Sequence, residues 1–197
     1  MNDAGGRAAE GEFTPSDPLA WFQVEANPVS RRRPLPIQAF LQCSIDVCDR
    51  LEPFDLKKVL LLLPVQRLAV PRGGAVAARN IHWFETLDPR NLVNVEMRLA
   101  AGKSAANGSL SDAVSDFIEL EQTVLRQPVR AVQSTFDTVP PFDDSFWDGP
   151  ATETAALRGE LVAWEPDAIA WLGQAMAECA ATNGISSPIL MSVAMIR

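Results

Sequence analysis

Val93-Asn94-Val95-Glu96-Met97-Arg98-Leu99 puts an apolar side chain at every second position and Asn94, Glu96 and Arg98 between them. Successive side chains of a strand point to opposite faces, so this alternation predicts a strand with one face in a core and one face toward water. The reading of the chain on either side starts here. Gly102 to Gly108 is a small, polar loop. Ser109 then caps a helix, with Asp112 three residues on as a weakened capping box. Leu110, Val114, Phe117, Ile118 and Leu125 fall on one face of that helix. Val129 to Thr138 alternates again, and Thr154 to Trp164 predicts another strand, with Leu157 and Leu161 opposed to Arg158 and Glu160. Pro166 suits the first turn of a second helix, whose apolar stripe is Ile169, Leu172, Met176 and Cys179. Asn183-Gly184 supplies its left-handed stop. Ile189 to Ile196 is a last strand, apolar on nearly both faces.

Residues 93–196 therefore run β-α-β-β-α-β, which resembles the ferredoxin-like split βαβ pattern. The expected class is α+β: an antiparallel sheet with two helices on one face, extended by strands from the N-terminal side. A fold-level resemblance of this kind carries no function. In that topology the last strand is an edge, and an edge strand apolar on both faces is an aggregation hazard unless it is paired. Either the residues before 93 or a second subunit, a homodimer through the C-terminal strand, is expected to cover it.

Upstream, Ile37 to Val47 reads as a strand with one mostly apolar face. Pro53 to Leu63 fits a helix opened by Pro53 or a fully buried strand, and periodicity does not separate the two. Val65 to Val70 and Ala75 to Phe84 flank the hairpin-like turn Pro71-Arg72-Gly73-Gly74. Residues 1–36 hold Gly5, Gly6, Gly11, Pro15, Pro18, Pro28, Pro34 and Pro36, too many breakers for long regular structure. They read as an arm on a single domain, 37–197. Within the arm, Trp21 and Phe22 form an apolar patch that gains by docking over a pocket or on a partner.

Charge narrows the partners. The 197 residues carry a formal −8. Residues 1–36 contribute −1, residues 37–100 contribute +1 and residues 101–197 contribute −8. An acidic half repels a polyanion, so no nucleic-acid partner is expected, and Arg31-Arg32-Arg33 reads as a solvated linker. The longest apolar run, Val59 to Val65, is far short of a membrane span, so no membrane is expected either. No basic region followed by an apolar stretch opens the chain, so no secretion signal is expected. Three cysteines without C-x-x-C spacing argue against a disulfide framework and a zinc ribbon, which points to the reducing cytoplasm. Cys43, in a predicted strand, and Cys179, on a helix stripe, read as buried small hydrophobes.

The residues that could carry chemistry are few. His82 is the sole histidine, which excludes any site needing two imidazoles, and it is the candidate catalytic acid–base group. Tyrosine is absent. Lys103 in Ala101-Gly102-Lys103-Ser104 lacks the earlier glycine of a phosphate loop, and Arg98 stands there instead. No cofactor motif and no metal site is read. Of five tryptophans, Trp83 and Trp164, with Trp21 and Phe22 from the arm, are candidates to wall an apolar ligand pocket. The loop 137–150 combines Asp143 and Asp144 with Phe142 and Trp147, a candidate partner-docking element. Two functions stay open. One is a protein binding a small hydrophobic ligand in an aromatic-walled pocket, with a cofactor-independent cyclase or isomerase among the activities such a pocket supports. The other is a non-enzymatic interaction or assembly protein that docks a protein partner through the arm, the 140–150 loop and the last strand.

Overall fold

A computed structural model describes residues 5–7, 20–22, 35–51, 54–68, 92–102, 108–124, 129–132 and 153–196. In chain order the elements are β1 (Gly5–Arg7), β2 (Ala20–Phe22), α1 (Ile37–Leu51), β3 (Lys58–Leu63), β4 (Val93–Ala101), α2 (Leu110–Val124), β5 (Arg130–Val132), β6 (Glu153–Leu161), α3 (Pro166–Thr182) and β7 (Ile189–Met195). The fold is α+β, with a five-stranded antiparallel sheet in the order β3-β7-β4-β6-β5 and three helices. β1 and β2 pair with each other in a separate two-stranded ribbon.

The alternation in β4 sorts its residues as expected. Val95, Met97, Leu99 and Ala101 join the core, whereas Asn94, Glu96 and Arg98 lie on the other face. β6 pairs with β4 along its whole length, Val93 opposite Leu161 and Ala101 opposite Glu153. The helices cover the core face side by side. α3 packs between α1 and α2, over β3 and β7, and α2 packs over β6. From Ala168 to Ala181 every residue of α3 except Gln174 is buried, because neighbours enclose the helix on both flanks and beneath. Many of those residues are alanines, whose small side chains let the three helices and the sheet close on it.

Three expectations change. Ile37 to Val47 is helical. Ile37, Leu41 and Ile45 recur every four residues and turn toward the core, and the backbone bond from Phe40 N–H to the Pro36 carbonyl closes the first turn. α1 is thus a third helix on the core face, and Cys43 is exposed on its surface instead of buried in a strand. Val65–Arg67 is a turn of 3₁₀-helix that diverts the chain after Pro64. β7, expected at the edge, is interior: β3 pairs with it on one side and β4 on the other. Its apolar faces are accounted for within one chain, and no edge is left on the C-terminal strand for a homodimer. The stretch open between helix and strand resolves as strand, β3, and it is the N-terminal strand that extends the sheet.

The helix ends follow their local signals. The Ser109 hydroxyl accepts from Ser111 N–H at 3.1 Å, and the Glu153 carboxylate accepts from Leu110 N–H at 2.6 Å, so two of the free amides at the start of α2 are satisfied. α3 ends in a Schellman turn. Gly184 sits at φ +75°, its N–H bonds the Ala181 carbonyl at 3.2 Å, and Ile185 N–H bonds the Ala180 carbonyl at 3.0 Å. Gly108 rests on that turn so closely that a Cβ there would lie 2.6 Å from the Asn183 carbonyl oxygen. Asn183 Nδ2 also bonds Asp116 of α2 at 2.7 Å.

The two glycines should therefore fail for different reasons. Gly184→Ala meets nothing within 4 Å and adds only left-handed strain, about 1 kcal/mol. Gly108→Ala drives a methyl into backbone and should cost about 1–3 kcal/mol. Urea unfolding of both variants checks the order. Equal losses would mean that α2 does not start against the end of α3.

Candidate functional site

α2 carries its core stripe at Leu110, Val114 and Phe117, and the next position on that face is Glu121. Glu121 is 4% exposed. Beneath it, β4 and β6 present Val95 opposite Gly159 and Met97 opposite Leu157. Gly159 brings no side chain to a position where its neighbours Leu157 and Leu161 bring leucines. A cavity of about 10 Å³ remains, lined by these strand residues, by Phe117 and Glu121 of α2, by Leu172 of α3 and by Val129 at the entry to β5. That is room for about one water molecule. Its walls are apolar apart from the single carboxyl.

No hydrogen bond or ion pair reaches the Glu121 carboxyl among the described residues. Burial pushes it up to about 8, so at neutral pH it is mostly protonated. Its place in the last turn of α2, where the helix dipole is negative, works in the same direction. A neutral carboxyl in an apolar cavity can donate a hydrogen bond, and one that titrates near neutrality can both give and take a proton.

The opposite face of the sheet holds a carboxylate with the reverse fate. Glu96 is buried, accepts from Arg98 Nε at 2.5 Å, and pairs with Arg158 through Nε and Nη2, each at 2.6 Å. Burial alone would raise its pKa. The hydrogen bonds and charges of the two arginines outweigh burial and hold it below the usual carboxylate range. Arg130 of β5 stands opposite Arg158, a like-charge pair that is tolerable because Arg158 is turned to Glu96. This cluster is satisfied and points away from the cavity. Cys179 is buried, and desolvation, with the charges of Asp116 and Glu178, pushes its thiol up to about 12, so it is no nucleophile near neutral pH.

The described residues among those singled out from sequence do not meet at this cavity. His82, Trp83, Phe142, Asp143, Asp144 and Trp147 lie outside the described residues. Trp21 and Phe22 form β2, where Phe22 is 37% exposed. Trp164 is half-buried, and its Nε1 donates to the Leu56 carbonyl at 2.6 Å, tying the chain after β6 to the segment that enters β3. It does not line the Glu121 cavity. Glu121 and Gly159 escaped the sequence reading, although both left a signal. The stripe of α2 meets a glutamate where its spacing calls for an apolar residue, and the inward row of β6 meets a glycine. No group of three or more His, Cys, Asp or Glu that could hold a metal ion occurs among the described residues. No described helix is long and apolar enough to cross a membrane. No protein family, curated protein or solved structure matches the chain.

The raised carboxyl makes a prediction about pH. The folded state keeps a proton that the unfolded chain releases, so the stability that Glu121 contributes is full below pH 4.5 and is lost as pH rises toward about 8. Denaturant titrations across that window should show parent stability falling with pH by as much as about 1.4 kcal/mol per unit from this group. Glu121→Gln, which cannot ionise, should flatten the fall. Identical slopes for parent and variant would place the carboxyl in water.

Proposed function

We propose that the protein binds a small hydrophobic molecule and that Glu121, in place of the histidine favoured by sequence, is the acid–base group that faces it. The observation that carries this reading is the buried carboxyl, without a partner among the described residues, in the apolar cavity between α2, α3 and the β4–β6 pair. A buried polar group without a partner costs stability, and the cost is explained where a ligand supplies the partner. Cyclisation and isomerisation of apolar molecules need shape, exclusion of water and a group that gives or takes a proton, and they need no cofactor. The carboxyl supplies the last of these. In its present shape the cavity suits one water, so a ligand enters by widening the gap beside the last turn of α2. The neutral form of Glu121 lowers the cost of that contact. His82 and Trp83, which lie outside the described residues, and Trp21 and Phe22 of the arm stay candidate ligand contacts.

The strand order β7-β4-β6-β5, with α2 and α3 on one face, supports reading residues 93–196 as a ferredoxin-like unit to which β3 is added. Thiols at Cys43 and Cys179 that form no disulfide fit a reducing, cytoplasmic setting. The second reading is assembly, and the observation that favours it is the outer edge of β3, which pairs with no strand among the described residues.

Native mass spectrometry of the protein from its producing cell tests the ligand reading. The parent should carry a neutral adduct of a few hundred daltons, and Val95→Phe, which fills the cavity, should lose it while keeping the parental circular dichroism. A bare polypeptide mass in the parent, or an adduct that Val95→Phe retains, would sink the proposal.

A further inference from the structure

β3 is Lys-Val-Leu-Leu-Leu-Leu, an apolar strand at the end of the sheet. Met195 N–H bonds the Lys57 carbonyl at 3.0 Å, which sets the phase of the β3–β7 ladder. Lys57, Val59, Leu61 and Leu63 turn their N–H and C=O groups toward β7. Lys58, Leu60 and Leu62 turn theirs outward, where no described strand meets them. Pro64, with no N–H, ends the row. Such an edge invites another strand.

Helix α1 lies on the same side of the molecule. α3 is the helix that packs on β3, and α1 flanks α3 on the side away from α2. Its core stripe faces inward, and Gln38 on one flank bonds Asp167 at the start of α3. The opposite flank, directed away from α3, carries Phe40, Cys43 and Val47. Cys43 is exposed and Val47 is 45% exposed, more than any other large hydrophobic residue among those described.

We propose that the outer edge of β3 and the Phe40–Val47 flank of α1 form the interface of a homodimer, in which β3 pairs antiparallel with β3 of a second copy across a two-fold axis at Leu60. The edge is self-complementary in this register. Lys58 faces Leu62 of the second copy, Leu60 faces Leu60, and Leu62 faces Lys58, each pair exchanging two backbone hydrogen bonds. Every outward group of the strand is then used, and no two like charges stand opposite each other. Leu60 and Leu62, only half-buried in one copy, meet their counterparts on one face of the joined sheet. On the other face, the proposal sets the exposed Val47 flank of α1 against the second copy. An acidic partner would find a single charge on this edge, Lys58, while a second copy satisfies all of it. This interface is independent of the cavity at Glu121.

Sedimentation equilibrium of the full chain at micromolar concentration tests the proposal. The parent should run at about twice the chain mass of 21.4 kDa. Leu60→Pro removes one outward N–H and no bond to β7, a place where an edge strand accepts proline. This variant should be monomeric with parental circular dichroism. Val47→Glu, on the helix and outside the ladder, should weaken the dimer about tenfold or more, because it buries a charge in the seam. A monomeric parent overturns the interface, whatever part of the chain then covers the edge. A dimer or larger assembly that persists in Leu60→Pro overturns it as well. If Leu60→Pro does not fold, Val47→Glu decides: an unchanged dimer is a refutation and a weakened one is support.

Discussion

A helix buried on nearly every side has to be enclosed, and the enclosure of α3 is the constraint on which the other packing decisions depend. Ile169, Leu172 and Met176 would fit an ordinary one-sided helix, but Ala168, Ala170, Trp171, Ala177 and Ala180 are buried as well. Sheet alone covers one side. α1 and α2 must therefore lie along the flanks, and β3 must widen the sheet so that α3 has a floor beneath it. Fully buried side chains such as Ile169, Leu172 and Met176 are worth about 1.5–3 kcal/mol each, far more than the local preferences of α1 or β3. The Schellman turn after α3 and the contact of Gly108 with it show the same demand at one end of the helix, where α2 begins directly against the place where α3 stops.

The two faces of the sheet solve the problem of a buried carboxyl in opposite ways. On the outer face, Glu96 is given two guanidinium groups and stays ionised, its oxygens satisfied within the ladder β4–β6. On the helix face, Glu121 meets no partner among the described residues, and burial keeps it mostly protonated. Removing one arginine from the first would leave a charge half-compensated in the interior, the expensive outcome for a buried ion pair. The second already holds its cost in the native state, and such costs concentrate where a protein does something with the group. The contrast separates a carboxyl that holds strands together from one that burial keeps neutral.

The two edges of the sheet also differ. β5 is three residues long and begins with Arg130, a short, charged edge of the kind that discourages pairing. β3 is twice that length, and its only charge is Lys58 at the start. The interior position of β7 moves the apolar edge strand from the end of the chain to its first half.

Much of the local structure was legible without coordinates, because it depends on neighbours in the chain. Alternation in Val93 to Leu99 and around Leu157, the Ser109 cap, Pro166 at the start of α3 and the Asn183-Gly184 stop all act within a few residues, and all appear where they were read. The same local signals misassigned Ile37 to Val47. Its isoleucine and valine suit a strand, and only the contact with α3 rewards the four-residue spacing of Ile37, Leu41 and Ile45. The strand identity of residues 58–63 was likewise open until β7 offered a partner. Glu121 escaped notice, since burial depends on what lies across from it, and Gly159 is 38 positions further along the chain. Composition and periodicity determined the class, the helix ends and the alternating strands. Tertiary structure decided which strand is interior, which edge is free and which carboxyl is kept from water, because each of these is set by contacts between residues far apart in sequence.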